Sequence, residues 1–107
     1  MLKKKNRADT KSVEKIFKGG KVLNSPNLTF KFINTNGKQI RISFIAPKNV
    51  AKLAVKRNLL RRRGYVALEK YINKFPTGLL GVFIFKKYQD DILMLENEIE
   101  TIIPKIN

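Results

Sequence analysis

The apolar positions of this chain change their rhythm from segment to segment, and each change marks an element. Val13, Ile16 and Phe17 recur at i, i+3, i+4, which predicts a short helix from Lys11 to Phe17 or Lys18, ended by Gly19 and Gly20. Val22 and Leu23 predict a short strand before the turn formed by Asn24, Ser25, Pro26 and Asn27. From Leu28 to Ile33 the period becomes two, with Leu28, Phe30 and Phe32 on one face. Gln39 to Ala46 alternates as well: Ile40, Ile42 and Phe44 share one face, and Arg41, Ser43 and Ile45 the other. Asn36-Gly37 separates the two runs, and an Asn-Gly pair between alternating runs predicts a hairpin.

Pro47 closes that strand and the period lengthens. From Val50 or Ala51 to Asn73 a helix is predicted, with Leu53, Leu60, Gly64, Ala67, Leu68, Tyr71 and Phe75 in one stripe. Gly64 costs this helix about 1 kcal/mol relative to Ala, and close approach of the helix to a sheet accounts for it. Phe75 to Gly78 breaks the pattern. Leu79 to Phe85 is an almost continuous apolar run, which predicts a central strand buried on both faces. A closing helix follows from Asp90 to Ile103, with Asp90 and Asp91 suited to its positive end. Ile92, Leu95, Ile99, Ile102 and Ile103 form its apolar stripe, and Pro104 ends it. The order is helix, short strand, hairpin, long helix, strand, helix. That is an α/β (α+β) fold, one sheet with helices packed on it. No repeat, low-complexity tract or linker divides residues 1–107, so a single domain is expected.

Composition narrows the function. The 23 Lys+Arg against 8 Asp+Glu give a net charge of +15, while 43% hydrophobic residues are too many for a disordered basic tail. With no Cys and no His, thiolate chemistry, Cys-type zinc sites and the usual general base are excluded. The basic N-terminus lacks the apolar segment of a signal peptide, and no stretch approaches ~18 apolar residues, so a cytoplasmic location is expected. The charge is also unevenly placed. Residues 1–21 hold eight Lys/Arg against Asp9 and Glu14, and residues 48–63 hold seven with no acid. From Tyr88 onward the net charge is −4, which leaves +19 on residues 1–87. Two basic clusters on one small body imply a polyanionic partner, nucleic acid before membrane, because the basic helix lacks a clean apolar face opposite its charges.

The densest cluster lies inside the long helix. Arg57 and Arg61 stack at i, i+4 along one edge of the apolar stripe, with Asn58, Arg62 and Tyr65 further round the same flank. Lys56 and Arg63 line the other edge, and Leu59 lies with Val55 and Val66 opposite the core stripe. Arginine suits phosphate because its planar fork bonds two oxygens, and Asn58 can orient an Arg or a water. A merely solvated basic face would intersperse Glu for i, i+4 pairs, and this one does not. Lys5 and Arg7 from the first cluster and Lys48 from the second join the RNA-binding candidates.

At this stretch the sequence resembles the protein subunit of bacterial ribonuclease P, whose signature is a helix reading roughly R-N-R-x-K-R-x-x-R after a strand and a Lys-containing turn. Arg41 to Asn49 resembles that strand and turn. Arg57, Asn58 and Arg62 match the motif, and Arg61 replaces its Lys with the charge kept. Leu2 to Arg7 and Val13 to Gly20 resemble the family's opening and first helix, so the likeness runs from residue 2 to about 87. Two positions depart: Leu59 stands at the third residue of the triplet, and Tyr65 at the last Arg.

The resemblance implies a two-layer αβββαβα sandwich with a four-stranded sheet and a left-handed βαβ crossover, like the second domain of a ribosomal small-subunit protein. It implies an endoribonuclease only as a subunit: an RNA partner binds Mg²⁺ and removes the 5′ leader of precursor tRNA. The protein then supplies no catalytic or metal-binding residue and needs no organic cofactor or protein partner. The few carboxylates outside the acidic end, Asp9, Glu14 and Glu69, agree, since two-metal hydrolysis needs several that converge. The basic helix would dock on the RNA, and a cleft between the first helix and the sheet would hold the leader. Phe17, Lys31, Ile45 and Phe85 are the candidates there, with Val13 where the family tends to place an aromatic; ordinary core packing serves Ile45 and Phe85 equally well. The alternative is a structural RNA-binding protein of ribosomal type, indifferent to a 5′ leader.

Overall fold

The computed structural model describes residues 10–106. In chain order these form α1 (Thr10–Gly19), β1 (Lys21–Asn24), β2 (Leu28–Asn34), β3 (Arg41–Ile45), α2 (Ala54–Glu69), β4 (Leu79–Phe85) and α3 (Ile92–Ile102). The strands make one sheet in the order β1-β2-β4-β3. β1 pairs antiparallel with β2, β2 antiparallel with β4, and β3 parallel with β4. This is the expected αβββαβα order, with α2 as the crossover between the parallel neighbours β3 and β4.

The predicted hairpin does not form. β4 is inserted between β2 and β3, so the Asn36-Gly37 segment reverses the chain across the end of β4 instead of joining two paired neighbours. There the Thr35 N–H and hydroxyl both donate to the Gly78 carbonyl, at 2.9 and 2.7 Å. Gly78 has φ +81°, and a Cβ on it would lie 2.3 Å from the Thr35 oxygen, so only glycine fits this crossing. The physical reason for the insertion is β4 itself. Its apolar residues on both faces gain most in the centre of the sheet, where both edges are paired.

Strand register sorts the side chains into rows. On one face Phe30, Phe83 and Phe44 lie abreast, with ring centroids 4.3 and 5.0 Å apart. The next row is Phe32, Gly81 and Ile42; the gap at Gly81 is filled by the Phe30 ring, 2.5 Å from where a Cβ would stand. α2 and α3 cover this face with Leu60, Ala67, Leu68, Leu95, Ile99 and Ile102, all fully buried. The predicted close approach at Gly64 is present, since its Cβ would meet the Phe44 ring at 2.6 Å. α1 packs on the other face through Ile16, which is buried, as is Val82 of β4.

Helix ends differ from the periodic reading. α2 starts at Ala54 because Pro47 to Ala51 is a turn, whose Val50 and Ala51 N–H groups both donate to the Pro47 carbonyl. Leu53 is consequently 63% exposed and not a core residue. The helix stops at Glu69, and a 3-10 turn over Ile72–Lys74 leads to the buried Phe75. Asp91 caps α3, its Oδ1 accepting from the N–H groups of Leu93 (2.9 Å) and Met94 (3.3 Å). α3 is further tied to the β1–β2 turn by the buried Glu98, which accepts from the Ser25 hydroxyl, the Asn27 N–H and Asn27 Nδ2 at 2.5, 2.7 and 2.8 Å. No described helix is long and apolar enough to cross a membrane.

Candidate nucleic-acid interface

Two surfaces carry the predicted site residues, one on each side of the sheet. The first is the outer face of α2. Lys56, Arg62 and Arg63 are exposed along it, and Lys48 is exposed on the turn before it. Lys5 and Arg7 lie outside the described residues. Arg57 is half-buried: its Nη1 donates to the carbonyls of Ala51 (3.1 Å) and Lys52 (2.7 Å), which staples the preceding turn to the helix. That holds the turn carrying Lys48 and Lys52 against the first turn of α2. Asn58 Oδ1 accepts from Arg61 Nη2, so the amide orients a guanidinium as the sequence suggested. Bond formation on one edge leaves the planar fork aimed rather than mobile, which lowers the entropy lost on gripping a phosphate.

Tyr65 departs from the flank assigned to it. Its side chain turns inward, buried against Phe44 in an edge-to-face contact at 5.2 Å, and its hydroxyl accepts the Phe44 N–H at 3.2 Å. The large ring reaches β3 from a helix position only about 80° from the outward stripe, a reach that angular position alone does not reveal.

The field of this face is of one sign. No acidic residue lies between Val50 and Leu68, and the N-terminus of α2 has neither an acidic first turn nor a side-chain cap. The helix dipole therefore adds to the positive charge. The field gives out at the C-terminal end of α2, where Lys70 lies 3.6 Å from Glu96. There the Tyr71 hydroxyl, 3.4 Å from Glu100, has its pKa raised above 10.0 by desolvation and by Glu100 and Glu96.

The second surface is the sheet face that α1 only partly covers. Its rows, read across β2, β4 and β3, are Thr29–Ile84–Ile45, Lys31–Val82–Ser43 and Ile33–Leu80–Arg41. All but Val82 are half-buried. Phe17 on α1 is 45% exposed, and Lys31 Nζ sits 4.8 Å from the centre of its ring. Val13 is half-buried on the same helix. A recess of about 290 Å³ lined by Gly19, Lys21, Phe32, Ile33 and Asn34 continues past the end of α1.

Phe85 does not belong to this surface. It is the register partner of Leu28, lies 5.9 Å from the Phe44 ring and is 1% exposed, so it is a core residue on the opposite face. Phe17 and Lys31 are brought into contact, whereas Ile45 stands on the β3 side, with β4 between it and β2. Ile84 and Leu80 share the surface and were missed by the sequence reading. A strand apolar on both faces hides its phase, and only the pairing with β2 supplies it. Chemically, apolar rows bordered by Lys31 and Arg41 suit an extended chain with flat apolar groups and a negative backbone.

Comparison with known proteins places these surfaces in context. A protein-family model described as Ribonuclease P matches residues 1–107, the acidic C-terminal segment included. Among solved structures, the RNase P protein from Thermotoga maritima matches with a TM-score of 0.82 at 19% identity, covering 94% of this chain and 97% of that one. An RNase P protein from Staphylococcus aureus matches with a TM-score of 0.78 at 15% identity, covering 96% and 95%. At such identities the structural likeness speaks for the fold. No curated protein sequence matches the chain.

Proposed function

The chain belongs to the Ribonuclease P family as a protein subunit of the bacterial type, and from that premise we propose that its two surfaces hold two different RNA segments at once. The α2 face docks on the catalytic RNA, through Lys56, Arg61, Arg62 and Arg63 with Lys48 beside them, while Asn58 and Arg57 hold the geometry. The partly covered sheet face receives the 5′ leader of precursor tRNA, on Phe17, Val13, Lys31 and Ile45, with Ile84 and Leu80 added and Phe85 removed. The observation that carries this reading is their placement on opposite sides of one sheet, so that filling one leaves the other open. Binding by shape, charge and apolar contact suits a leader of any sequence, since it reads no base edge.

Cleavage chemistry is assigned to the RNA. Among the described residues no three His, Cys, Asp or Glu side chains converge on a point that could hold a metal ion. Asp91 caps α3, and Glu98 accepts three hydrogen bonds from the β1–β2 turn. These described carboxylates have structural partners of their own, which supports the reading that the Mg²⁺ of hydrolysis belongs with the RNA. The experiment is reconstitution with a bacterial ribonuclease P RNA at low Mg²⁺. The protein is expected to restore cleavage of precursor tRNA and to bind precursor more tightly than mature tRNA. No gain in cleavage together with equal binding of the two tRNAs would sink the proposal.

A further inference from the structure

The outer face of α2 is basic, yet its most outward residues are not all charged. Val55, Leu59, Arg62 and Val66 follow the spacing i, i+4, i+7, i+11 and share one stripe directly away from the core residues Leu60, Gly64 and Ala67. Val55 is 65% exposed, Val66 is 42% exposed and Leu59 is half-buried. Lys56 and Arg63 border the stripe on one side and Asn58 on the other. Leu59 is itself a departure from the arginine-rich pattern of the helix, so the stripe is a property of this chain. Its far end differs: Val66 borders a recess with Glu69, Lys70 and Glu96, where acidic groups begin. The part from Val55 to Arg62 is bordered on the helix by Lys56, Arg63 and Asn58, with no acidic residue among them.

We propose that this Val55–Leu59–Arg62 segment seats an unpaired nucleobase of the docked RNA, so that α2 favours RNA with a bulged or looped-out nucleotide over continuous duplex. The inference rests on the reading that α2 docks on RNA and deepens it. Charge complementarity selects the occupant. A second copy of this chain offering its own α2 would bring like charges together, and an apolar protein segment would leave the surrounding cations without partners. A continuous A-form duplex offers phosphates and riboses, which two aliphatic side chains would desolvate without compensation, and its narrow major groove is closed to them. An unstacked base offers an apolar ring for Val55 and Leu59 together with its own phosphates for Lys56 and Arg63. Arg62 lies on the same stripe, where its guanidinium plane can stack on that ring.

The test uses the full-length protein and two hairpin RNAs, identical except that one carries an unpaired adenosine. Wild type should bind the bulged hairpin about tenfold more tightly, a ratio of the size that one seated base supplies. Leu59→Ser and Val55→Ser should each shrink that ratio about fivefold, with the salt dependence of binding unchanged, since no phosphate contact is lost. Val55 is exposed and Leu59 half-buried, so Val55→Ser should leave thermal unfolding nearly unaltered and Leu59→Ser lower it. The ratio between the two hairpins, read on the same folded protein, is not a folding effect. A fluorescent adenine analogue at the bulge should respond to wild type and much less to Leu59→Ser. Equal affinity of wild type for both hairpins would overturn the proposal, as would losses in the variants that are equal on both. So would self-association in sedimentation that Leu59→Ser abolishes, which would assign the stripe to a second copy. Reconstituted cleavage of precursor tRNA, run in parallel, separates the two levels. Intact cleavage without bulge preference defeats this inference alone, whereas failed cleavage support defeats the family role beneath it.

Discussion

The two faces of the sheet come from the same strands and have opposite characters. On the α2–α3 side, Phe30, Phe83 and Phe44 stack in one row, Tyr65 closes its end, and every core residue is buried. On the α1 side the rows mix aliphatic residues with Thr29, Lys31, Ser43 and Arg41, and one helix covers only part of them. The difference teaches how a small domain divides its labour. Aromatic burial concentrates the packing on one face and leaves the other half open, which suits the proposed leader-binding role.

Phe85 and Ile45, which sequence alone could not tell apart, separate the two faces by the largest effect. Phe85→Ala empties a fully buried site and should cost about 3–5 kcal/mol in denaturant unfolding, with leader preference altered only through the fold. Ile45→Ala removes a half-buried side chain and should cost roughly 1 kcal/mol while reducing discrimination of precursor from mature tRNA. If Ile45→Ala proved the more destabilising of the two, the assignment of faces would be reversed.

The link between α3 and the β1–β2 turn sharpens the core side of the comparison. Glu98→Gln leaves one oxygen where two accept: its NH2 would face either the Asn27 backbone N–H, which can only donate, or Asn27 Nδ2, whose amide would have to turn over. A loss of about 1–3 kcal/mol in denaturant unfolding is expected, with RNA affinity changed little.

Much of this division could be read in the sequence, though not all. Local rhythm located the four strands, the three α-helices and the Asp91 cap, because these depend on neighbours a few residues away. The close approach at Gly64, to Phe44 on β3, was legible only as a glycine misplaced in a helix. Strand order did not follow, because Asn36-Gly37 imitates a hairpin signal while β4, more than 40 residues later, takes the place between β2 and β3. The error at Phe85 has the same origin. In a strand apolar on both faces, phase is set by register against Leu28, which is a non-local fact. The basic helix was legible as charge, and Asn58 as an orienting amide. What stayed hidden was the direction of side chains long enough to reach elsewhere, Tyr65 toward β3 and Arg57 back to Ala51 and Lys52.

Gly64 sets two effects of known size against each other. Gly64→Ala should gain up to about 1 kcal/mol in helix propensity. Its Cβ would also meet the Phe44 ring at 2.6 Å, and that ring is held between Phe83 and Tyr65, so it has nowhere to retreat. Overpacking costs about 1–3 kcal/mol, so the balance should be a net loss of about 1 kcal/mol. A stabilised Gly64→Ala protein would mean that α2 lifts off the sheet readily, and that the core face is looser than its stacked rings imply.

Tyr65→Phe gives the smallest change and isolates one atom. It keeps the edge-to-face contact with Phe44 and removes the oxygen that accepts the Phe44 N–H. β3 is an edge strand, so that N–H sits where no further strand can pair with it. Losing its acceptor should cost about 1 kcal/mol. The loss has a local signature: exchange of the Phe44 amide with solvent should quicken more than that of residues in β2 or β4. RNA affinity and its salt dependence should stay put, because Tyr65 faces the core and not the partner. If Tyr65→Phe instead weakened RNA binding while leaving Phe44 exchange unchanged, the hydroxyl would be acting outward, and this position would rejoin the basic flank of α2.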